Sequence, residues 1–196
     1  MNPLKYVCVF CGSNRGNDPL YLEAARLVGV ALVRRGIGLV YGGGKVGLMG
    51  ALADATLAAG GEVIGVIPKG LVDKEVAHQG LSDLKVVTSM HERKALMSDL
   101  AGGFIALPGG YGTIEEFCEV LTWAQLGLHH KPCGILNVAG FFDPLLAFFD
   151  HCVEKRFVLP DHRSLILVET DVNRLLDLMI AYKPPSLEKW MELKGR

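Results

Sequence analysis

Chemistry is densest in the stretch Phe104-Ile-Ala-Leu-Pro-Gly-Gly-Tyr-Gly-Thr-Ile-Glu-Glu116, where an apolar run meets three glycines and then two carboxylates. The pattern predicts a short strand, a glycine-rich turn and the first turn of a helix. Gly109, Gly110 and Gly112 let the backbone bend sharply and come close to a ligand. The N–H groups that open a helix have no partners within it and sit at the positive end of its dipole. Such a turn suits a phosphate or a carboxylate. An architectural reading also fits, because Thr113-x-x-Glu116 has the spacing of a capping box. The stretch by itself does not separate the two.

Two further glycine turns accompany it. Cys11-Gly-Ser13 follows the apolar run Tyr6–Phe10, and Gly42-Gly-Gly-Lys-Val-Gly-Leu-Met-Gly50 follows Ile37–Tyr41. Gly42-x-Gly44-x-x-Gly47 matches a dinucleotide fingerprint, but the acidic residue due at the end of the next strand is missing. Glu62 stands instead at the start of the run Glu62–Ile67, and Lys45 lacks the Ser or Thr of a P-loop. A phosphate or nucleotide-like contact fits; NAD does not. The fourth element is Arg93, on a helix predicted over Met90–Ala101 with Ser89 as its cap, where it shares a face with Met90, Met97 and Leu100. Either its stem covers the core and its head reaches water, or its guanidinium clamps an anion.

The elements that must position these residues alternate. Strands are expected at Tyr6–Phe10, Ile37–Tyr41, Glu62–Ile67, Leu84–Thr88, from Phe104, at Pro132–Leu136 and at Leu165–Glu169. Helices are expected from Asp18-Pro19 to Gly36, from the second glycine loop to Gly60-Gly61, from Ser89, from Thr113 to about Leu128, from Asp143-Pro144 and over Asp171–Ala181. Alternation of this kind implies an α/β fold: a single Rossmann-like, doubly wound domain over residues 1–183, with a mostly parallel sheet of about seven strands and helices on both faces. Turns at the carboxyl ends of such strands converge on one crevice. Pro68–Gly80, with Lys69, Asp73, Lys74 and Glu75, reads as a polar, lid-like segment, and residues 184–196 as a tail that Leu187, Trp190 and Leu193 can dock.

Bulk properties remove several function classes. The chain has 196 residues, half of them hydrophobic, and a net charge of −1; its mean hydropathy is +0.31. That balance offers nothing to nucleic acid or to an anionic membrane, and the first apolar run is too short for a signal segment or a membrane span. Five cysteines without a framework point to a reducing cytoplasm. Cys8 and Cys11 point to opposite faces of a strand, no second pair completes a zinc site, and the six histidines lack ligand spacing, so no metal is expected. The helix after Thr113 is apolar nearly all round at Ile114, Phe117, Cys118, Val120, Leu121, Trp123, Ala124 and Leu126. One face then packs on the sheet and another on a second copy, a homodimer.

Pro108-Gly-Gly-Tyr-Gly-Thr-Ile-Glu-Glu116 resembles the PGGxGTxxE signature of the LONELY GUY (LOG) family, and the resemblance extends over nearly the whole chain through Cys11–Ser13, Tyr41–Gly50 and the MHxRKxxM run Met90–Met97. It implies a cofactor-free cytokinin riboside 5′-monophosphate phosphoribohydrolase, in a family often formerly labelled lysine decarboxylases. Bacterial members similar to this chain tend to accept AMP. By the same resemblance, Arg93 and Glu116 are the catalytic pair. The substrate-binding set is Ser13, Gly43, Gly44, Gly47, Met49, Glu75, Lys94, Met97, Gly109, Gly110, Tyr111, Gly112, Thr113, Glu115 and Thr122. Cleaving an N-glycosidic bond builds an oxocarbenium-like ribose. Glu116 would stabilise that cation and orient or deprotonate water, kept ionised by the helix N-terminus. Two rivals stand beside this reading. One is a non-catalytic nucleotide sensor. The other is a pyridoxal phosphate decarboxylase using Lys45 or Lys94, which lacks an evident partner for the pyridine nitrogen.

Overall fold

A computed structural model describes residues 4–72 and 77–185. Seven strands, β1 Tyr6–Phe10, β2 Gly38–Tyr41, β3 Val63–Pro68, β4 Asp83–Val87, β5 Gly103–Ala106, β6 Cys133–Leu136 and β7 Ile166–Glu169, form one sheet in the order β4-β3-β2-β1-β5-β6-β7. Every neighbouring pair is parallel. The order reverses between β1 and β5: successive strands run outward from β1 on one side and from β5 on the other. A crevice opens at such a reversal, outside the carboxyl ends of the strands.

The period-two alternation of the strands feeds two cores. Val7, Val9, Leu39, Tyr41, Val63, Ile105 and Leu136 face α1 (Pro19–Arg34), α2 (Gly47–Ala58) and α8 (Val172–Ala181). Cys8, Phe10, Val40, Ile64, Val66, Phe104, Ala106 and Ile135 face α4 (Met90–Leu100), α5 (Tyr111–Gln125) and α6 (Asp143–Glu154). Cys8 and Cys11 fall on opposite faces, as their spacing requires, and no group of side chains among the described residues could hold a metal ion. The five cysteines are thiols. No described helix is long and apolar enough to cross a membrane.

Side-chain caps set three of the helix starts. Asp18 caps α1 by accepting from the Leu20 N–H at 2.9 Å, and Pro19 fills the first helical position. Ser89 caps α4 through the Glu92 N–H at 3.1 Å, and Asp171 caps α8 through the Arg174 N–H at 2.9 Å. Gly29 on α1 lets the backbone approach α2 so closely that a methyl group there would lie 2.7 Å from the Thr56 hydroxyl.

Several details differ from the sequence expectation or lie outside the described residues. The segment after β3 is not wholly irregular: it begins with a one-turn helix, α3 (Lys69–Val72), while Asp73, Lys74 and Glu75 lie outside the described residues. The docking residues of the tail, Leu187, Trp190 and Leu193, lie outside them too. Asp143 does not cap α6. It is the first residue of that helix and accepts instead from Asn137 Nδ2 at 2.6 Å. Finally α5 stops at Gln125 rather than near Leu128, with Leu126 and Leu128 exposed just beyond it; Thr113, Phe117, Val120 and Ala124 are its buried residues, and Ile114, Cys118, Leu121 and Trp123 are half-buried. A 3-10 turn, Val138–Gly140, and a short α7, Pro160–Arg163, were not signalled by periodicity.

Candidate active site

The turns after β1 and β5 are tied directly to one another. The Gly12 N–H donates to the Pro108 carbonyl at 3.0 Å, and the Gly12 carbonyl accepts from the Leu48 N–H, the second residue of α2, at 3.0 Å. Over this tie lies a cavity of about 550 Å³. One wall is the turn Pro108–Thr113; another is Cys11–Gly16; Leu48, Met49, Met90, Arg93, Glu115 and Glu116 close it, with Tyr21 and Phe141.

The start of α5 forms the polar wall. Its N-cap is Gly110, which offers no side-chain cap, so the first N–H groups of the helix are left for a ligand. Thr113 is not the cap. It is the third residue of the helix, buried, and its hydroxyl packs on Gly109, where a Cβ would come within 2.1 Å. The capping-box reading therefore fails, and Glu116 is free to pair elsewhere. Gly110 and Gly112 meet nothing within 4 Å of a Cβ, so the packing of the chain itself does not demand glycine there.

Opposite stands an ion pair. Arg93 Nη1 lies 2.9 Å from Glu116 Oε1, and each side chain is only 11% exposed. Arg93 Nε donates to the Val66 carbonyl at 3.1 Å, which fixes the plane of the guanidinium. Its Nη2 fills the space where a Cβ on Gly42 would sit, 2.2 Å away. The Arg93 head is thus buried and paired instead of reaching water. Burial pushes the Glu116 carboxyl above its ordinary range, the Arg93 charge opposing the rise. This corrects the expectation that the helix N-terminus holds Glu116 ionised: Glu116 is the sixth residue of α5, beyond the first turn where the dipole acts.

Of the expected binding residues, Ser13, Met49, Gly109, Gly110, Tyr111, Gly112, Thr113 and Glu115 line the cavity beside Arg93 and Glu116. Others do not. Gly43, at φ +78°, turns the chain after β2, and its carbonyl accepts from the His78 N–H at 3.0 Å; Gly44 bridges to Ala77. Gly47, at φ +64°, backs the Ser13 turn, where a Cβ would lie 2.2 Å from the Ser13 carbonyl carbon. Gly43, Gly44 and Gly47 thus support the site from behind rather than line it, while Leu48 and Met49 of the same loop face the cavity. Lys94 Nζ is held by Glu115 at 2.5 Å and Glu119 at 3.0 Å, and the Glu115 hydrogen bond raises its pKa. Met97 is sealed in the core, Thr122 lies exposed along α5 with its hydroxyl on the Cys118 carbonyl, and Glu75 lies outside the described residues.

Tyr21 and Phe141 carry no sequence signal. Their rings meet edge to face with centroids 5.6 Å apart. Phe141 is presented by a strained turn in which Ala139 has φ +50° and Gly140 φ +71°, pinned by the Asn137–Asp143 contact.

Comparison with known proteins comes to the same place. A family model described as "Possible lysine decarboxylase" matches residues 49–179. The cytokinin riboside 5′-monophosphate phosphoribohydrolase LOG of Oryza sativa subsp. japonica is 49% identical over 178 residues, 91% of this chain and 74% of that protein. The enzyme of the same name, LOG1, of Arabidopsis thaliana is 48% identical over 180 residues, 92% and 84% of the two chains. Among solved structures, the molybdenum cofactor carrier protein of Chlamydomonas reinhardtii superposes with a TM-score of 0.70 at 20% identity, covering 90% of this chain and 98% of that one. The molybdenum cofactor binding protein of Rippkaea orientalis gives 0.67 at 19%, covering 90% and 95%. These two share the fold.

Proposed function

The chain belongs to the LONELY GUY family, and from that membership we propose that it hydrolyses the N-glycosidic bond of an adenine-type nucleoside 5′-monophosphate, releasing the free base and ribose 5-phosphate. The observation that carries this reading is the Arg93–Glu116 pair, 2.9 Å apart and almost buried, facing the uncapped start of α5 across one cavity. The open N–H groups of Tyr111, Gly112 and Thr113 suit the 5′-phosphate. Phosphate binding away from the scissile bond supplies positioning energy.

The ribose then lies toward Glu116. Water adds to C1′, the C1′–N bond breaks, and the base leaves with the bonding electrons and is protonated. The Glu116 carboxylate stabilises the cationic sugar and takes up the proton of the attacking water. Burial that lifts its pKa toward the working pH makes it a better base than an exposed glutamate. Arg93 fixes Glu116 with a planar fork that lysine cannot copy. The apolar wall at Leu48, Met49 and Met90 suits a flat purine. This chemistry asks for neither a metal nor a cofactor.

The same reading takes residues 1–183 as one catalytic domain working in a reducing cytoplasm, which the thiol state of the cysteines supports. It also takes two copies to associate, supported by Leu126 and Leu128 exposed at the end of α5. The test of the activity is a panel of AMP, GMP, CMP and isopentenyl-AMP with the released base assayed. Adenine or isopentenyladenine release that disappears in Glu116→Gln supports the proposal. AMP held tightly yet intact over hours would replace it with a nucleotide sensor.

A further inference from the structure

A second concavity, of about 400 Å³, lies on the far side of the turn that follows β1. Ser13, Asn14 and Arg15 form the wall it shares with the catalytic cavity. Its other walls are Arg26 of α1, Lys45 of the second glycine loop, and Gly47 and Asp54 of α2.

Its charge is unbalanced. Arg15, Arg26 and Lys45 converge on it, and none forms an ion pair among the described residues. Being unpaired does not by itself set them apart, since seven of the other thirteen described Lys and Arg side chains form no ion pair either; what sets Arg15, Arg26 and Lys45 apart is that they line one concavity. The whole chain carries 21 acidic residues against 20 Lys and Arg, so three cations left facing one hollow do not reflect a shortage of acids. The one carboxylate at the rim, Asp54, is bonded to His78 Nε2 at 3.0 Å. Like charges around one concavity repel until an anion joins them, and arginine forks match phosphoryl oxygens. Three cations against one carboxylate leave two charges to neutralise.

We propose that this second cavity binds a small phosphorylated ligand of at least two negative charges, distinct from the substrate, and that its occupancy reaches the catalytic cavity through Arg15. The coupling has a physical path. Gly47 packs so tightly behind Ser13 that the turn has no slack on that side, so a ligand drawing on Arg15 acts on a wall of the catalytic cavity.

Inorganic pyrophosphate is the probe, titrated calorimetrically into the full chain at low and at high salt. The wild type binds it, more weakly as salt rises. Arg26→Ala and Lys45→Ala, both exposed positions that line only the second cavity, each weaken binding at least about tenfold, the size of a lost charge-assisted contact. Their thermal melts match the wild type, and Gly112→Ala, which disturbs only the phosphate seat of the catalytic cavity, keeps the component of pyrophosphate binding that Arg26→Ala and Lys45→Ala weaken. With AMP saturating, pyrophosphate changes the rate of adenine release in the wild type and not in the Arg26→Ala/Lys45→Ala double variant. No binding by the wild type, binding undiminished in the double variant, or binding lost only in Gly112→Ala overturns the site. A wild-type rate indifferent to bound pyrophosphate overturns the coupling. The binding arms stand whether or not AMP is the substrate.

Discussion

At the scale of single residues, Glu116 works against the stability of the fold it sits in. Its carboxyl is held above its ordinary pKa by burial, so between the unfolded and folded values the native state binds the extra proton. The stability it contributes is present below the unfolded value, near 4.5, and is lost as pH rises through the folded pKa. Glu116→Gln, still able to accept from Arg93, is therefore expected to melt no lower than the wild type at pH 7 while losing about 10²–10⁴-fold in kcat/KM. Its melting temperature also loses that pH dependence. Arg93→Ala leaves Glu116 buried without its partner, at a cost of about 3–5 kcal/mol in urea unfolding. In the wild type, kcat/KM falls as pH drops through the raised Glu116 pKa. A Glu116→Gln protein that unfolds several degrees early would show that the pair holds the fold together.

At the scale of elements, the glycines divide into two kinds. Gly47 serves the chain itself: its left-handed φ and the contact behind Ser13 mean that Gly47→Ala should cost about 1–3 kcal/mol in denaturant unfolding. Gly112 is not required by the packing, since a Cβ there meets nothing, and on the proposed reading it serves the ligand. Gly112→Ala should melt like the wild type yet raise KM for AMP about tenfold or more, through crowding of the phosphate seat and loss of a close-range contact. Equal thermal losses in the two variants would refute the division. The sequence pattern placed both glycines in phosphate-like turns but did not sort them, because what lies behind a turn is a tertiary fact. The α4 face reads the same way. Helical spacing groups Met90, Arg93 and Met97, but only the residues nearest the carboxyl edge of the sheet reach the cavity, and Met97 sits beneath it in the core. Tyr21 and Phe141 were illegible for another reason: a strained non-glycine residue, Ala139, aims the second ring, and alanine carries no signal for φ +50°. By contrast, the parallel sheet and the gathering of turns at its carboxyl edge followed from alternation, because right-handed crossovers leave few other arrangements; the strand order itself is a finding of the structure.

At the scale of the whole molecule, large apolar side chains meet water at the end of α5 and on α6. Leu126 and Leu128 are 52% and 70% exposed at the end of α5, and Phe148 on α6 is 59% exposed. If a second copy covers the end of α5, light scattering at micromolar concentration gives about twice 21.2 kDa, and Leu126→Asp/Leu128→Asp gives the single mass. A wild-type monomer would show that this leucine pair is merely exposed. The backbone tie at Gly12 bears on a different property, the time course of binding. Because that residue joins the turns after β1 and β5 and the start of α2 through both its N–H and its carbonyl, the floor of the crevice is held by backbone hydrogen bonds of the chain itself. Deuterium should therefore enter the Gly12 and Leu48 amides of the ligand-free protein only as fast as the whole domain unfolds, and added AMP should slow them no more than it slows the deepest amides of the sheet. A pocket built this way admits its substrate at the pace of encounter, without first waiting for its floor to form.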